Sequence, residues 1–188
     1  MEHAAIRILG ISGSLREKSA NSRLLTAVAE LLPVEATYET YDGLAELPHF
    51  NPDLDGDEQW RSEAVQSWRK LLGSVDAVVI CTPEYARGLP GSLKNALDWI
   101  VSSGEFVDKP TAAISASPYP EGGAVTLESL TGTLRMMSAN IPDERTLPIP
   151  GITLKFAADG RLKDEALVSD LQKLADSLVR DVRSREAK

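Results

Sequence analysis

Hydrophobic and polar positions switch between two periods from one end of the chain to the other. Ile6–Ser12 is a short apolar run of strand length, and Leu24, Leu25, Val28, Leu31 and Leu32 then recur at helical spacing until Pro33 interrupts them. Val34–Tyr41 reads as a second strand. The stretch Asp42 to Asp57 contains Pro48, Pro52 and Gly56 and is too polar and broken for core, which predicts a long surface loop of the kind that often serves a site. Trp60, Ala64, Val65, Trp68, Leu71 and Leu72 mark one face of a helix, and Val75–Cys81 suits a strand buried on both sides. After a loop from Pro83 to Pro90, helical spacing resumes with Leu93, Ala96, Leu97, Ile100 and Val101 and ends near Gly104. Thr111–Ala116 predicts a fourth strand running into Ser-Pro-Tyr-Pro-Glu-Gly-Gly, and a helix follows over Ala124–Ser138. A fifth extended segment must lie within Asn140–Ile149. Pro142, Pro148 and Pro150 cannot donate ladder bonds, so it suits only an edge strand. A turn at Asp159-Gly160 precedes a last amphipathic helix carrying Leu167, Leu171, Leu174, Leu178 and Val182.

Five strands alternating with five helices predict a three-layer α/β fold around a parallel sheet, and 188 residues suit a single domain spanning 1–188. Right-handed crossovers put helices on both faces, and ligands then bind at the carboxyl ends of strands where the strand order reverses. The ends of strands one, three and four carry three unusual loops: Ser12–Asn21, Pro83–Pro90 and Ser117–Gly123. Composition narrows the setting. Hydrophobic content of 43% and charged content of 26% are those of a soluble folded protein, and no apolar run approaches the ~20 residues of a membrane span. The first residues lack a basic region followed by an apolar segment, so a cytoplasmic protein is expected. A single cysteine, Cys81, allows no internal disulfide, and with only His3 and His49 beside it no zinc-type cluster is expected. A net charge of −8 argues against sequence-independent nucleic-acid binding, which needs clustered Lys and Arg.

The first loop suits a phosphate. A strand end followed by a helix start leaves backbone N–H groups unpaired, and the helix dipole adds partial positive charge. Gly10 and Gly13 are expected to let the backbone turn tightly and approach a ligand; Ser12, Ser14 and Ser19 offer hydroxyls, and Arg16 a planar fork matched to phosphate oxygens. Ser and Asn ahead of a helix are also ordinary caps. Several motifs are excluded. The spacing from Gly10 to Gly13 lacks the Rossmann pattern, and no Gly-Lys-Ser/Thr is present for a P-loop. Ser14 stands where a nucleophile elbow needs glycine, and neither histidine falls at a predicted strand end, so a Ser-His-Asp triad is not expected. Glu84, Asp98 and Glu121 form no convincing acid/base pair. What remains is a cofactor that brings its own reactivity. A monophosphate in the first loop with a flat ring across the second and third would fit FMN: backbone N–H groups of Pro83–Ala86 could donate to the ring edge, and Gly122 and Gly123 allow close approach.

Gly13-Ser14-Leu15-Arg16 with Ser19 and Asn21, then Pro83-Glu84-Tyr85, then Pro90-Gly91-Ser92-Leu93-Lys94-Asn95-Ala96-Leu97-Asp98-Trp99, resembles the NADPH-dependent FMN reductase family of flavodoxin-like flavoproteins, which includes bacterial quinone and chromate reductases. The resemblance implies a five-stranded parallel sheet of order 2-1-3-4-5, noncovalent FMN, NADPH or NADH as co-substrate, and a homodimer or homotetramer with the flavin near a subunit interface. It implies that Ser14, Arg16, Ser19 and Asn21 hold the phosphate, with Leu15 and Ser22 beside them; that Pro83, Glu84, Tyr85 and Ala86 line the ring; and that Ser117 and Gly122 meet it from the third loop. The chain departs from the family at Ala86, where Asn or His is usual, and at the stiff Pro118-Tyr119-Pro120-Glu121 segment.

The expected activity is hydride transfer from NAD(P)H to FMN and then electron transfer to a small-molecule acceptor: a quinone, a metal oxyanion, an azo or nitro compound, or free flavin. No nucleic-acid or membrane partner is expected. Arg87 is a candidate for a 2′-phosphate. A flavodoxin-type electron carrier is the alternative, against which the loop after strand two offers only His49 and Phe50 as ring-stacking groups. Other residues read as structural: Cys81 as a buried thiol acting as a small hydrophobe, Trp60, Trp68 and Trp99 as core or subunit contacts, and Lys94 and Asp98, four apart, as a surface ion pair. Tyr85 and Tyr119 sit in the candidate loops and suit either a cofactor contact or interface packing.

Overall fold

A computed structural model describes residues 5–57, 60 and 62–186; His3 lies outside them. Strands β1 (Ile6–Ser12), β2 (Ala36–Tyr41), β3 (Ala77–Thr82), β4 (Thr111–Ala116) and β5 (Thr146–Ile149) form one sheet in the order β2-β1-β3-β4-β5, with every neighbouring pair parallel. The order reverses between β1 and β3, which pair from Ile8 opposite Ala77 to Ser12 opposite Cys81. Helices α1 (Ala20–Leu31), α2 (Pro52–Asp55), α3 (Glu63–Ser74), α4 (Gly91–Asp98), α5 (Ala124–Met136) and α6 (Glu165–Glu186) surround it.

Side-chain alternation along the strands divides the core in two. Leu9 and Ile11 of β1, with Val78 and Ile80 of β3, face Trp68 and Leu72 of α3, Leu93 and Leu97 of α4 and Leu130 and Leu134 of α5. Ile6 and Ile8, with Val79 and Cys81, face Leu24 and Val28 of α1 and Leu171, Leu174 and Leu178 of α6. β3 and β4 are buried at every position because both of their faces are covered. β5 is an edge strand, as is β2 at the other side, and Pro148 of β5 stands opposite Ser115.

Several boundaries differ from the sequence reading. β2 starts at Ala36 and β3 at Ala77, since Val75 caps the end of α3. α4 ends at Asp98, six residues before the expected Gly104, and the chain runs on through turns. The Asp42–Asp57 stretch is not wholly a surface loop: Leu44 and Leu47 belong to the core, and α2 and a single 3-10 turn over Gly43–Ala45 interrupt the segment. Asn95 and Trp99 hold it down. The Asn95 side chain donates to the Pro48 carbonyl (2.9 Å) and accepts from the Phe50 amide (2.8 Å), while the Trp99 indole also donates to Pro48 (2.7 Å). Two leucines in a polar stretch have no period to reveal them, so only the contacts with α4 show that they are core. Trp60 precedes α3 and stacks on Trp99 at 5.1 Å.

Candidate functional site

The loops after β1, β3 and β4 meet at the carboxyl end of the sheet. In the first, Ser19 is the N-cap of α1, its hydroxyl accepting the Asn21 amide at 3.1 Å. Ser19 and Asn21 are buried, and Asn21 accepts a hydrogen bond from the Cys81 thiol (3.3 Å). Ser14 is buried too; its hydroxyl accepts the Arg16 amide, and Ser22 donates to Ser12 at 3.2 Å. These bonds shape the loop and leave donors facing outward. The amides of Leu15, Glu17 and Lys18 find no acceptor among the described residues, and neither does the exposed Arg16 guanidinium. With the α1 dipole behind them, they fit a phosphate dianion.

The glycines serve a different purpose from the one expected. Gly10 lies inside β1, and a Cβ there would overlap the Tyr38 hydroxyl and come 2.5 Å from Cζ. A Cβ on Gly13 would overlap the Thr82 hydroxyl and lie 2.9 Å from the Thr82 Cβ. Neither has a positive φ. Both make room for neighbouring side chains rather than for a turn or a ligand. The Tyr38 hydroxyl that fills the space over Gly10 is sealed from solvent without a hydrogen-bond partner, and burial, followed by the neighbouring Cys81, raises its pKa above the ordinary tyrosine range. Burial likewise pushes the Cys81 thiol up, which suits a packing role and not a thiolate one.

The second loop is a tight turn. Tyr85 and Gly88 exchange backbone bonds of 3.1 and 3.0 Å around Ala86 and Arg87, whose φ values are +49° and +61°. Two consecutive left-handed non-glycine residues cost about 1–2 kcal/mol each. Asn or His, which the family resemblance leads one to expect at position 86, tolerates that conformation better than Ala does. The Tyr85 amide is used inside the turn, whereas the amides of Glu84, Ala86 and Arg87 find no acceptor among the described residues, the last two at the tip. Pro83 lies at the base, its carbonyl accepting the Thr82 hydroxyl at 3.1 Å. Glu84 turns toward the third loop and accepts the Thr126 amide at 3.1 Å.

In the third loop Ser117 is buried, with its hydroxyl accepting the Tyr119 amide (3.1 Å). Gly122 is at φ +63°, and a Cβ there would come 2.9 Å from the Pro150 nitrogen. That close approach is to the backbone after β5. The Ser115 hydroxyl holds the Gly122 carbonyl at 2.8 Å. Tyr85 and Tyr119 are both exposed.

A cleft of about 400 Å³ opens beside the first loop, lined by Ser12, Ser14, Leu15, Arg16, Glu17 and Ser22 together with Tyr41, Asp42, Leu44 and Ala45. The last four were not anticipated. Tyr41 ends β2 and the other three follow it, and their position beside the first loop comes from the β1–β2 pairing, which places Tyr41 opposite Ile11. Burial, then the nearby Glu46 carboxylate, raises the Tyr41 hydroxyl pKa to about 12, so the phenol itself stays protonated at neutral pH. A larger cleft of about 580 Å³ lies between β5 and α6, lined by carboxylates and bases together, and includes none of the three loops. The convergence of free donors makes the first cleft the candidate site. The expected Lys94–Asp98 ion pair is present at 2.6 Å on the surface. Among the described residues no cluster of His, Cys, Asp and Glu could hold a metal.

The family model for NADPH-dependent FMN reductase matches residues 6–153. A 2-hydroxy-1,4-benzoquinone reductase from Burkholderia sp. is 31% identical over 184 residues, covering 96% of this chain and 98% of its own. An NADPH azoreductase from Bacillus sp. is 35% identical over 173 residues, 89% of each chain. Among solved structures, the flavoenzyme NAD(P)H:(acceptor) oxidoreductase FerB from Paracoccus denitrificans superposes with a TM-score of 0.83 at 29% identity, covering 95% of this chain and 98% of its own.

Proposed function

The chain belongs to the NADPH-dependent FMN reductase family, and from that premise we propose that it is an FMN-dependent NAD(P)H oxidoreductase acting on small electron acceptors. The observation that carries this reading is the set of outward donors at the first loop, Arg16 and the amides of Leu15, Glu17 and Lys18, at the point where the strand order reverses. Arg16 neutralises one phosphate charge through its fork, while the loop amides and the α1 dipole take up the rest. Ser14, Ser19 and Ser22 keep that backbone in shape, Ser14 accepting the Arg16 amide, Ser19 the Asn21 amide, and Ser22 donating to the Ser12 hydroxyl. The Ala86 and Arg87 amides at the turn tip are placed to donate to a ring edge, and Ser117 and Gly122 form the opposite wall.

The chemistry supplied by bound FMN is acceptance of a hydride from NAD(P)H and delivery of two electrons to the second substrate. No protein acid or base is required for it. Quinones and azo compounds are the first acceptor classes to test, given the quinone and azo reductases among the relatives. The relatives are reductases, which favours this reading over a flavodoxin-type carrier. Arg87, exposed at the turn tip, is the candidate partner for a 2′-phosphate. Self-association as a dimer or tetramer is part of the proposal, supported by the exposed Tyr85 and Tyr119 beside the site. Among the described residues no helix is long and apolar enough to cross a membrane.

The test is an anaerobic mix of FMN-loaded protein with NADPH and separately with NADH, following the flavin band. Bleaching by either nucleotide, and reoxidation by a quinone, is the expected result. A bound flavin that neither nucleotide reduces would refute the reductase reading.

A further inference from the structure

Helix α5 begins without a cap of its own. Its N-cap is Gly123, which has no side chain, and the first turn carries no acidic residue. Ala124 bonds back to the Glu121 carbonyl at 3.1 Å, whereas the Val125 amide has no acceptor among the described residues. The acceptor for Thr126 comes from 42 positions earlier in the chain: Glu84 Oε2 takes the Thr126 amide at 3.1 Å. A carboxylate at a helix N-terminus satisfies an orphan donor and complements the dipole at once. Thr126 in turn donates its hydroxyl to the Gly88 carbonyl at 2.8 Å, at the far end of the strained turn. Gly123 is favoured at this junction by its φ of +75° and because a Cβ there would be tight against the Ser115 Cβ at 3.2 Å, while it would only touch the Glu84 Cβ at 3.5 Å. One residue on each side of the tight turn is thus fastened to the same residue of α5.

We infer that Glu84 is a positioning residue: its carboxylate clasps the loop after β3 to the start of α5, so that the walls on either side of the flavin ring are set as one unit. This deepens the flavin reading and rests on it. The family resemblance assigns Glu84 to the ring's lining; here its carboxylate acts on the ring only through Thr126, by holding the Ala86–Arg87 turn in its left-handed conformation. The acceptor atom matters to the clasp, and the charge is secondary, because a glutamine Oε1 can accept the same N–H.

Three readouts test this on the full chain. Without flavin, E84A is expected to be cut by trypsin after the exposed Arg87 at least about fivefold faster than the wild type, because the turn loses its anchor. E84Q is expected to stay within about twofold of the wild type. With flavin, E84A is expected to bind FMN about tenfold more weakly and E84Q to keep wild-type affinity. Unchanged proteolysis and affinity in E84A would overturn the proposal. So would an E84Q as impaired as E84A, which would assign the effect to charge. If E84A fails to fold, amide exchange in the wild-type chain decides: a Thr126 amide well protected relative to Val125 supports the clasp, and equal exchange overturns it. Proteolysis and exchange need no cofactor, so a chain that binds no FMN would refute the functional reading while these two readouts still judge the clasp.

Discussion

Replacing Tyr38 with Phe should stabilise the protein, although it deletes a polar group from a close contact within the fold. The Tyr38 ring packs across Gly10 with its hydroxyl oxygen sealed from water and unpaired. In the unfolded chain that hydroxyl is hydrogen-bonded to water, and its uncompensated burial costs about 1–3 kcal/mol. Removing one oxygen leaves a small void, worth about 0.5 kcal/mol at ~24 cal/mol per Å³ for some 20 Å³. The net gain is about 1 kcal/mol, or about 2–4 °C in Tm for a chain of this size. The gain should grow in alkali. Burial raises the Tyr38 pKa above the ordinary 10.0, so the folded state keeps a proton that the unfolded chain releases. Its contribution is fully present below pH 10 and is lost as pH rises toward the folded pKa, at up to about 1.4 kcal/mol per unit. The buried Cys81 thiol adds the same sign from its ordinary 9.0 upward, so wild-type stability should fall above pH 9 and Tyr38→Phe should fall less steeply. Urea denaturation of both proteins at pH 7 and pH 10.5 measures this. A Phe variant less stable by 1 kcal/mol or more at pH 7 would show that the hydroxyl is satisfied, and would sink the argument.

Arg16→Ala should weaken FMN binding by about 1.5–3 kcal/mol, the scale of a charge-assisted bond, and unchanged affinity by flavin titration would remove Arg16 from the phosphate site. Ala86→Gly should stabilise the flavin-free protein by about 1 kcal/mol, since glycine adopts a φ of +49° without steric cost; thermal unfolding checks it, and a loss of stability would contradict the turn geometry. Asp181→Ala should destabilise by about 3 kcal/mol, because it strips the buried Arg145 guanidinium of its ion pair at 2.8 Å while two of its nitrogens already lack partners; a change below 1 kcal/mol by urea denaturation would show that Arg145 reaches solvent.

Periodicity along the chain determined four strands and the helices between them, because alternation of two and spacing of 3.6 report which face of an element is buried, whereas the fifth strand was bounded only to Asn140–Ile149 and the structure fixed it at Thr146–Ile149. Residue types in the first loop also determined the candidate anion site: Arg16 and a serine-rich strand-to-helix turn are legible without coordinates. What the tertiary structure alone decided are relations between residues distant in sequence. Gly10 and Gly13 read locally as turn glycines, yet their hydrogens are demanded by Tyr38 and Thr82 on neighbouring strands. Leu44 and Leu47 read as loop until α4 covers them, and Tyr41 and Asp42 join the cleft only through the β1–β2 register. Glu84 reads as a ring-lining residue until the packing of two loops turns its carboxylate onto α5. A local pattern states what a segment must bury or cap; which distant group meets that need is settled only when the sheet brings the loops together.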